Sequence, residues 1–332
     1  MRNGNDDTNI RHSAASPETK PQTFVYTSLD LSQRSIRLIR VLPGPSPTEH
    51  IQCELRHANI EDEYICLSYV WGEPSHNWIE IDGQLHSVRN NLLSFLQVAR
   101  QRKNDEWLWI DALCIDQFNI YERTHQVQQM GRIFSGAKQV VSWLGTRPEM
   151  VHFVRSACVG IRPYGWAYRE HDYWERAWIT QEILLARRVL LMADSYSMPL
   201  EHLPDTVIEE SSIQVMQAYL PSRIHPHATP EVRGKSLVSL LHMFRSQKCQ
   251  VLHDRVLSLL GLRGEGLDLE VNYSLPPEDL AWRVLLSCKD SLCLCGVRTT
   301  FRTLGVEYDN AMAFNSLLDN QRLIIEMMLP VV

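Results

Sequence analysis

Between residues 64 and 145 the chain passes three times from a short apolar, β-prone run into polar, aromatic or glycine residues. The three segments are residues 67–72 (LSYVWG), 108–117 (LWIDALCIDQ) and 140–145 (VVSWLG). A buried strand that delivers side chains to a cleft at its carboxyl end has this pattern. Three such ends close together in the chain predict a functional site.

The segments between these runs have helical or hairpin patterns. The predicted order is strand, hairpin, helix, strand, helix and strand, at residues 64–70, 78–88, 90–99, 107–110, 121–134 and 139–144. Asp82-Gly83 is a strong two-residue hairpin turn, and Asn90 or Asn91 is expected to cap the first helix. In the second helix, Glu122, Gln126 and Gln129 lie off the apolar stripe. Strands separated by helices imply a largely parallel sheet covered on both faces.

The flanking segments extend this α/β unit. Residues 35–41 and 51–55 alternate between apolar and polar side chains, which predicts an N-terminal β-hairpin addition. Asp172 and Glu175 have the spacing of a capping box, and the helix after them should run to about Arg187. Residues 189–192 are expected to form another short strand.

Composition divides the chain into three parts. Residues 1–22 are rich in Asn, Asp, Ser, Thr and Pro, which predicts a disordered tail reaching to about residue 30. The α/β domain should span residues 35–200. Residues 201–235 are polar and contain several prolines, and apolar residues then recur at helical spacing. We therefore expect a mainly helical C-terminal extension over residues 201–332.

Charge, hydropathy and motifs exclude several classes of protein. The 332-residue chain has a net charge of −6, so it has no global basic field and nucleic acid is not expected as a partner. No apolar run approaches the roughly 20 residues needed to span a bilayer, and the N-terminus lacks a signal-peptide core. A cytoplasmic protein with no membrane span is the expectation. The scattered cysteines and the absence of a Gly-rich phosphate loop predict no metal and no bound cofactor.

Polar groups at the strand ends are the candidates for chemistry, namely Ser68 and Tyr69, Asp111, and Ser142 with Trp143, together with Glu182 further along the chain. Glu182 follows Trp174 and Trp178 at spacings that set it at the edge of their helix face. A carboxylate beside indoles is partly desolvated and suits acid–base or ion-stabilising work. Each candidate has a structural alternative: Glu182 as a surface residue or a salt-bridge partner of Arg176 or Arg123, Asp111 as a cap, and the others as turn or core residues.

The ordered motifs resemble those of the fungal heterokaryon incompatibility (HET) domain. Residues 64–72 (YICLSYVWG) resemble its opening signature, and the resemblance continues through residues 79–83, 91–92, 109–117, 122–145, 174–182 and 253–262. It covers about residues 35–285. Two positions differ from the usual family pattern, with Asp116 in place of Asn and Phe134 in place of Tyr.

The order of these blocks also resembles that of Toll/interleukin-receptor (TIR) domains, which have a flavodoxin-like fold. Residues 178–182 (WITQE) resemble the TIR helix whose glutamate cleaves the nicotinamide–ribose bond of NAD in many such domains. The resemblance implies that Glu182 is catalytic and that NAD is a substrate. It implies further substrate-binding positions at Ser68, Tyr69, Trp71, Gly72, Asp111, Trp143, Arg176 and Trp178.

These resemblances leave the function open between three readings. The chain is a cell-death effector that hydrolyses NAD when self-associated, or a non-catalytic HET module that signals allorecognition by oligomerisation and by binding an incompatibility partner protein. In the second reading the Trp-rich strand ends form an interface, where aromatic anchors are common. The third reading is a degenerate relative with a structural role alone.

Overall fold

The computed structural model describes residues 23–44, 50–103, 105–161, 168, 170–203, 214–215, 218–219, 232, 234–264, 269–288 and 294–306. The strands of this part are β1 (Ser35–Val41), β2 (Gln52–Asn59), β3 (Ile65–Tyr69), β4 (Asn77–Ile81), β5 (Gln84–Val88), β6 (Leu108–Trp109), β7 (Gln139–Trp143), β8 (Val189–Ala193) and β9 (Tyr196–Pro199). Its α-helices are α1 (Asn90–Gln101), α2 (Asp111–Cys114), α3 (Ile120–Gly136), α4 (Pro148–Cys158), α5 (Ile179–Leu184), α6 (Leu237–Met243), α7 (Asp254–Leu257), α8 (Pro277–Ser287) and α9 (Leu294–Thr303).

The strands of the described residues form one nine-stranded sheet in the order β5-β4-β2-β1-β6-β3-β7-β8-β9. Its four neighbours β6, β3, β7 and β8 are mutually parallel. The strands on either side add antiparallel pairs, so the sheet is mixed rather than largely parallel as predicted. The α/β class itself is confirmed, with helices flanking the sheet.

Both predicted hairpins are present. β4 and β5 pair antiparallel around Asp82 and Gly83, which have φ of 51° and 78° as this tight turn requires. β1 and β2 also pair antiparallel along their whole length. This N-terminal hairpin is not an addition outside the sheet, because β1 pairs with β6 and β2 pairs with β4. It connects the parallel centre to the β4–β5 hairpin.

The contact between α3 and β1 corrects the assignment of polar residues on α3. Glu122, Gln126 and Gln129 are all buried. The side-chain amides of Gln126 and Gln129 both donate to the carbonyl oxygen of Ser35, over 2.8 and 3.1 Å. Hydrogen bonds of this kind offset part of the cost of burying polar side chains between a helix and a strand.

Glu122 forms a buried, two-pronged ion pair with Arg37 of β1. The two nitrogen–oxygen distances are 2.5 and 2.8 Å, and neither side chain is more than 2% exposed. Arg37 also donates to the carbonyl oxygens of Thr27 and Cys114. The backbone N–H of Asp116 donates to Glu122 over 2.7 Å. This ion pair therefore joins four parts of the chain: the segment before β1, β1 itself, α3, and the loop that follows α2.

The capping-box prediction at Asp172 is wrong. Residues Asp172–Glu175 form a single 3₁₀ turn, and α5 begins only at Ile179. The chain leaves helical geometry at Arg176, which pairs as an isolated β-bridge with Lys248. The backbone groups that a continuous helix would use are bonded to Lys248 instead, because Lys248 N–H donates to Glu175 and Ala177 N–H donates to Lys248.

The described residues beyond Leu203 contain the helices α6 to α9. The sequence did not predict α4, β9 or α9. Residues 1–22 of the predicted tail and most of the proline-containing stretch at 204–231 lie outside the described residues. In the part of the chain that is described, no helix is both long and apolar enough to cross a bilayer.

Candidate active site

Glu182 is buried at the carboxyl ends of the central strands. One of its carboxylate oxygens, Oε2, accepts a hydrogen bond from Ser68 of β3 and contacts Arg176 Nη1 at 3.2 Å. The other oxygen, Oε1, contacts Arg176 Nη2 at 3.4 Å. The Arg176 side chain is 20% exposed, whereas that of Glu182 is 3% exposed. The arginine therefore lies between the carboxylate and solvent.

A chain of buried hydroxyl groups continues from Ser68. Ser68 Oγ lies 2.7 Å from Tyr173 Oη, which lies 2.7 Å from Ser142 Oγ. Ser68 and Ser142 face each other in the register of β3 and β7. Tyr173 Oη donates to Ser142 Oγ, and Ser68 Oγ donates to Glu182. Ser68 is therefore a second hydrogen-bond donor to the Glu182 side chain beside Arg176.

A second carboxyl group, Asp111, lies beside this cluster at the start of α2. Its Oδ2 accepts a hydrogen bond from the Trp71 indole over 2.9 Å. Burial raises the pKa of Asp111 to about 6, and the Glu182 charge acts in the same direction, while Arg176 opposes it. Burial, followed by the charge of Asp111, also holds the pKa of the Tyr69 phenol well above its usual value. The four predicted positions Ser68, Tyr69, Asp111 and Arg176 thus share one electrostatic environment with Glu182.

Trp143 and Trp178 lie away from that cluster. Trp143 is fully buried and packs edge-on against Phe95 of α1, with ring centroids 5.6 Å apart. Its indole N–H donates to Asn91 Oδ1 over 2.9 Å. Trp178 is half-buried, and its side chain donates to Asp254 of α7. Both indoles are therefore held by protein partners rather than directed towards Glu182.

The turn after β3 combines Trp71, Gly72 and Arg89. Gly72 has φ of 70°, a left-handed conformation that favours glycine. Its carbonyl oxygen accepts a hydrogen bond from Arg89 over 2.5 Å, and the Arg89 guanidinium lies 5.2 Å from the centre of the Trp71 ring. Arg89, rather than Asn90 or Asn91, occupies the cap position of α1. Asn91 instead bridges the carbonyl of Val70 and the Trp143 indole.

Sequence reasoning missed Tyr173 and His171 as parts of the site. Ser142 was among the predicted strand-end candidates, and Tyr173 connects it to Ser68. Tyr173 carries no comparable signal, since its position depends on the 3₁₀ turn.

His171 holds that turn in the neutral imidazole form. Its Nε2–H donates to the carbonyl of Leu144 over 3.0 Å, and its Nδ1 accepts the Tyr173 N–H over 3.2 Å. Burial and the charge of Arg147 lower the pKa of His171 to about 4. A second proton on the ring would face the Tyr173 N–H, so protonation breaks the cap.

We expect the His171 cap to make stability depend on pH. Because the folded-state pKa lies below the ordinary value near 6.5, the unfolded chain takes up the proton first, and stability is lost as pH falls from about 6.5 to 4. One proton gives a slope of about 1.4 kcal/mol per pH unit in that window. Urea unfolding of the wild type and His171→Gln at several pH values measures the difference in slope. The exposed His242→Gln is the control, and equal slopes for wild type and His171→Gln would contradict the expectation.

Within the described ranges, no group of three or more His, Cys, Asp or Glu side chains could hold a metal ion. The described cysteines are free, and burial raises the pKa of the Cys114 thiol to about 12. A thiol with so high a pKa is a poor thiolate nucleophile, so Cys114 is a core residue.

Residues 64–158 match the family model described as Heterokaryon incompatibility protein (HET). This part of the chain is similar to HET domains. The chain is also 34% identical over 140 residues to "Heterokaryon incompatibility protein 6, OR allele" of Neurospora crassa, a match over 37% of this chain and 21% of that protein. The chain therefore spans about a fifth of the length of that relative. No solved structure matches the chain. The HET match contains Ser68, Asp111 and Ser142, whereas Arg176 and Glu182 lie after its end.

Proposed function

We propose that this protein is an incompatibility-type cell-death effector that hydrolyses NAD at the nicotinamide–ribose bond when self-associated. The observation that carries the proposal is the buried Glu182 carboxylate, held by Arg176 and Ser68 at the ends of parallel strands. The HET match and the name of the Neurospora crassa relative support the incompatibility role.

The strand order supports a TIR-like, flavodoxin-like arrangement of the site. Numbered along the chain, the parallel strands β3, β6, β7 and β8 lie in the spatial order second, first, third and fourth. Flavodoxin-like sheets have this order, and they bind ligands where the connections diverge, between the first and third strands. Here those strands are β3 and β7, which carry Ser68 and Ser142.

Glu182 would act on the charge that develops as the bond breaks. Nicotinamide leaves with the electron pair of the glycosidic bond, and the ribose acquires oxocarbenium character before water adds to it and loses a proton. A carboxylate held in a buried environment stabilises such a cation without having to reorganise. The contact from Arg176 to Oε1 is long, at 3.4 Å. Oε1 can therefore still accept a hydrogen bond from a ribose hydroxyl.

The neighbouring side chains would bind and orient the substrate. The half-buried Trp71 indole offers a ring face for stacking, and Arg176 is exposed enough to meet an anionic group. Tyr69, Gly72 and Asp111 would complete the binding surface around them. Trp143 and Trp178 would support its walls from behind, since both are bonded elsewhere.

The test is nicotinamide release from NAD by the purified protein over a concentration series. We expect the rate per molecule to rise with concentration, because the proposal requires self-association. Glu170→Gln, which removes an exposed carboxylate just before the 3₁₀ turn, should match the wild type. Absence of nicotinamide release at every concentration, from protein that still kills cells on expression, would exclude the enzymatic function.

An exposed apolar surface favours the second candidate, a non-catalytic HET module that acts through oligomerisation and partner binding. Phe118, Ile120 and Tyr121 are 97%, 64% and 81% exposed in the loop before α3 and its first turn. Clustered large apolar residues on a surface are typical of interaction sites. In this case Glu182 would be the structural partner of Arg176, and cell death would persist in a Glu182→Gln variant.

A further inference from the structure

The site helix α5 is too short to fix its own orientation. It has six residues and no side-chain cap at its N-terminus. Isolated helices of fewer than about 12 residues are marginal in water, so tertiary contacts must hold such a helix in place. The position of Glu182 therefore depends on what α5 is bonded to.

Residues 248–261, called the clamp below, supply many of those bonds. Before α5, the Ala177 N–H donates to the carbonyl of Lys248 over 2.8 Å, next to the β-bridge between Arg176 and Lys248. Within α5, Thr180 Oγ1 shares its proton between the carbonyls of Ala177 and Ser258, at 2.7 and 3.0 Å. Gln181 Nε2 donates to the carbonyl of Leu257 over 2.9 Å. The clamp thus holds the backbone segment that contains both Arg176 and Glu182.

Asp254 connects the clamp to the residue that precedes α5. Its carboxylate accepts hydrogen bonds from the Trp178 side chain and from Tyr273 Oη, the latter over 3.0 Å. Asp254 also begins α7, whose last residue and C-cap provide the carbonyls bonded to Gln181 and Thr180. One carboxylate therefore links the start of the site helix to the element that holds the rest of it.

Close packing leaves little room for the clamp to shift against α5. A methyl group at Gly261 would lie 2.5 Å from Gln181 Oε1 and 2.9 Å from Leu185 Cδ1. At Gly131 of α3, a methyl group would lie 2.9 Å from the Gly261 backbone. The clamp and α3 approach each other backbone to backbone at Gly261 and Gly131, and the Gln181 and Leu185 side chains pack against the same point. A displacement of the clamp is therefore transmitted to α5.

We infer that the clamp sets the position of Glu182, with Asp254 as a positioning residue that acts through Trp178 and α5. The catalytic part of this inference rests on the proposed NAD hydrolysis. A misplaced catalytic group lowers turnover strongly, whereas Asp254 lies behind α5 and has no direct role in holding substrate. Loss of its acceptor oxygens should therefore lower kcat and leave KM nearly unchanged.

The experiment compares Asp254→Leu, Asp254→Asn and the exposed Asp279→Leu in the full chain, by NAD turnover and by hydrogen–deuterium exchange. We expect Asp254→Leu to lower kcat about 10- to 100-fold, with KM changed less than about threefold and faster exchange over residues 179–184. Asp254→Asn keeps an acceptor oxygen and should stay within about threefold of wild type. If Asp254→Leu does not fold, Thr180→Val removes the shared hydrogen bond to Ser258 and Ala177 with a side chain of similar shape, and it should give the same pattern in weaker form.

The two readouts separate failure of the clamp from failure of the enzymatic function. Behaviour of Asp254→Leu like that of Asp279→Leu in both turnover and exchange would overturn the inference. So would equal impairment of Asp254→Asn and Asp254→Leu, because charge rather than hydrogen bonding would then be decisive. If the wild type releases no nicotinamide, the proposed function fails. Hydrogen–deuterium exchange over residues 179–184 then tests by itself whether the clamp holds α5 in place.

Discussion

Glu182→Gln should reduce nicotinamide release about 100- to 1,000-fold, the loss typical of removing one group that stabilises transition-state charge. Glutamine keeps the length of the side chain and one acceptor oxygen, so the hydrogen bond from Ser68 can persist. What it removes is the negative charge opposite the developing oxocarbenium ion. We expect kcat to fall much more than KM changes, because the lost interaction strengthens only as the bond breaks.

The same substitution removes the carboxylate to which Arg176 is bonded, so folding must be measured beside activity. Circular dichroism and thermal unfolding of Glu182→Gln will show whether the sheet is intact. Ser68→Ala is an informative companion, because it removes the hydroxyl donor and leaves the Arg176 pair in place. A folded Glu182→Gln protein with turnover close to that of Glu170→Gln would exclude Glu182 as the catalytic residue.

Breaking the ion pair between Arg37 and Glu122 should have the largest effect on stability. Arg37→Met or Glu122→Gln should lower the free energy of unfolding by about 3–5 kcal/mol, because each leaves a buried charge without its partner. That is a large part of the roughly 5–15 kcal/mol by which a domain is stable. Chemical denaturation followed by far-ultraviolet circular dichroism measures the loss.

Two further variants test whether burial is the reason. The exposed pair of Arg34 and Glu61, with side chains 55% and 59% exposed, provides the control. Glu61→Gln should change stability by less than about 1 kcal/mol. The double variant Arg37→Met/Glu122→Leu should be more stable than either single variant, because it removes both charges together. A single variant as mild as Glu61→Gln would refute the argument.

The sequence predicted the strands better than the faces of the helices. Alternating and apolar runs located β1, β3 and β7, and Asp82-Gly83 located the β4–β5 turn. Hydrophobic periodicity put Glu122 and Gln126 on the polar face of α3, yet both are buried. Their partners, Arg37 and the Ser35 carbonyl, are 85 and 91 positions away in the chain. No local pattern reports a partner at that distance.

In the candidate site, too, the sequence predicted some residues and missed those whose positions depend on contacts distant in the chain. The resemblance to TIR domains singled out Glu182, and the structure brings it to Ser68 and Arg176. The expected capping box failed, because the bridge from Arg176 to Lys248 interrupts the helix. The sequence did not single out Tyr173, because its contacts with Ser68 and Ser142 depend on the 3₁₀ turn that forms in place of the expected helix. Trp143 was assigned to the pocket by its place at a strand end, but side-chain alternation turns it towards α1.

The position of β1 inside the sheet has a consequence for expressing parts of this protein. A fragment cut at residues 64 and 158, the limits of the HET match, would lack β1 and β2. β6 would then present unpaired backbone groups to solvent, and Glu122 would lose Arg37. An exposed strand edge is a template for aggregation. The smallest soluble piece should therefore begin before Thr27, whose carbonyl oxygen also binds Arg37.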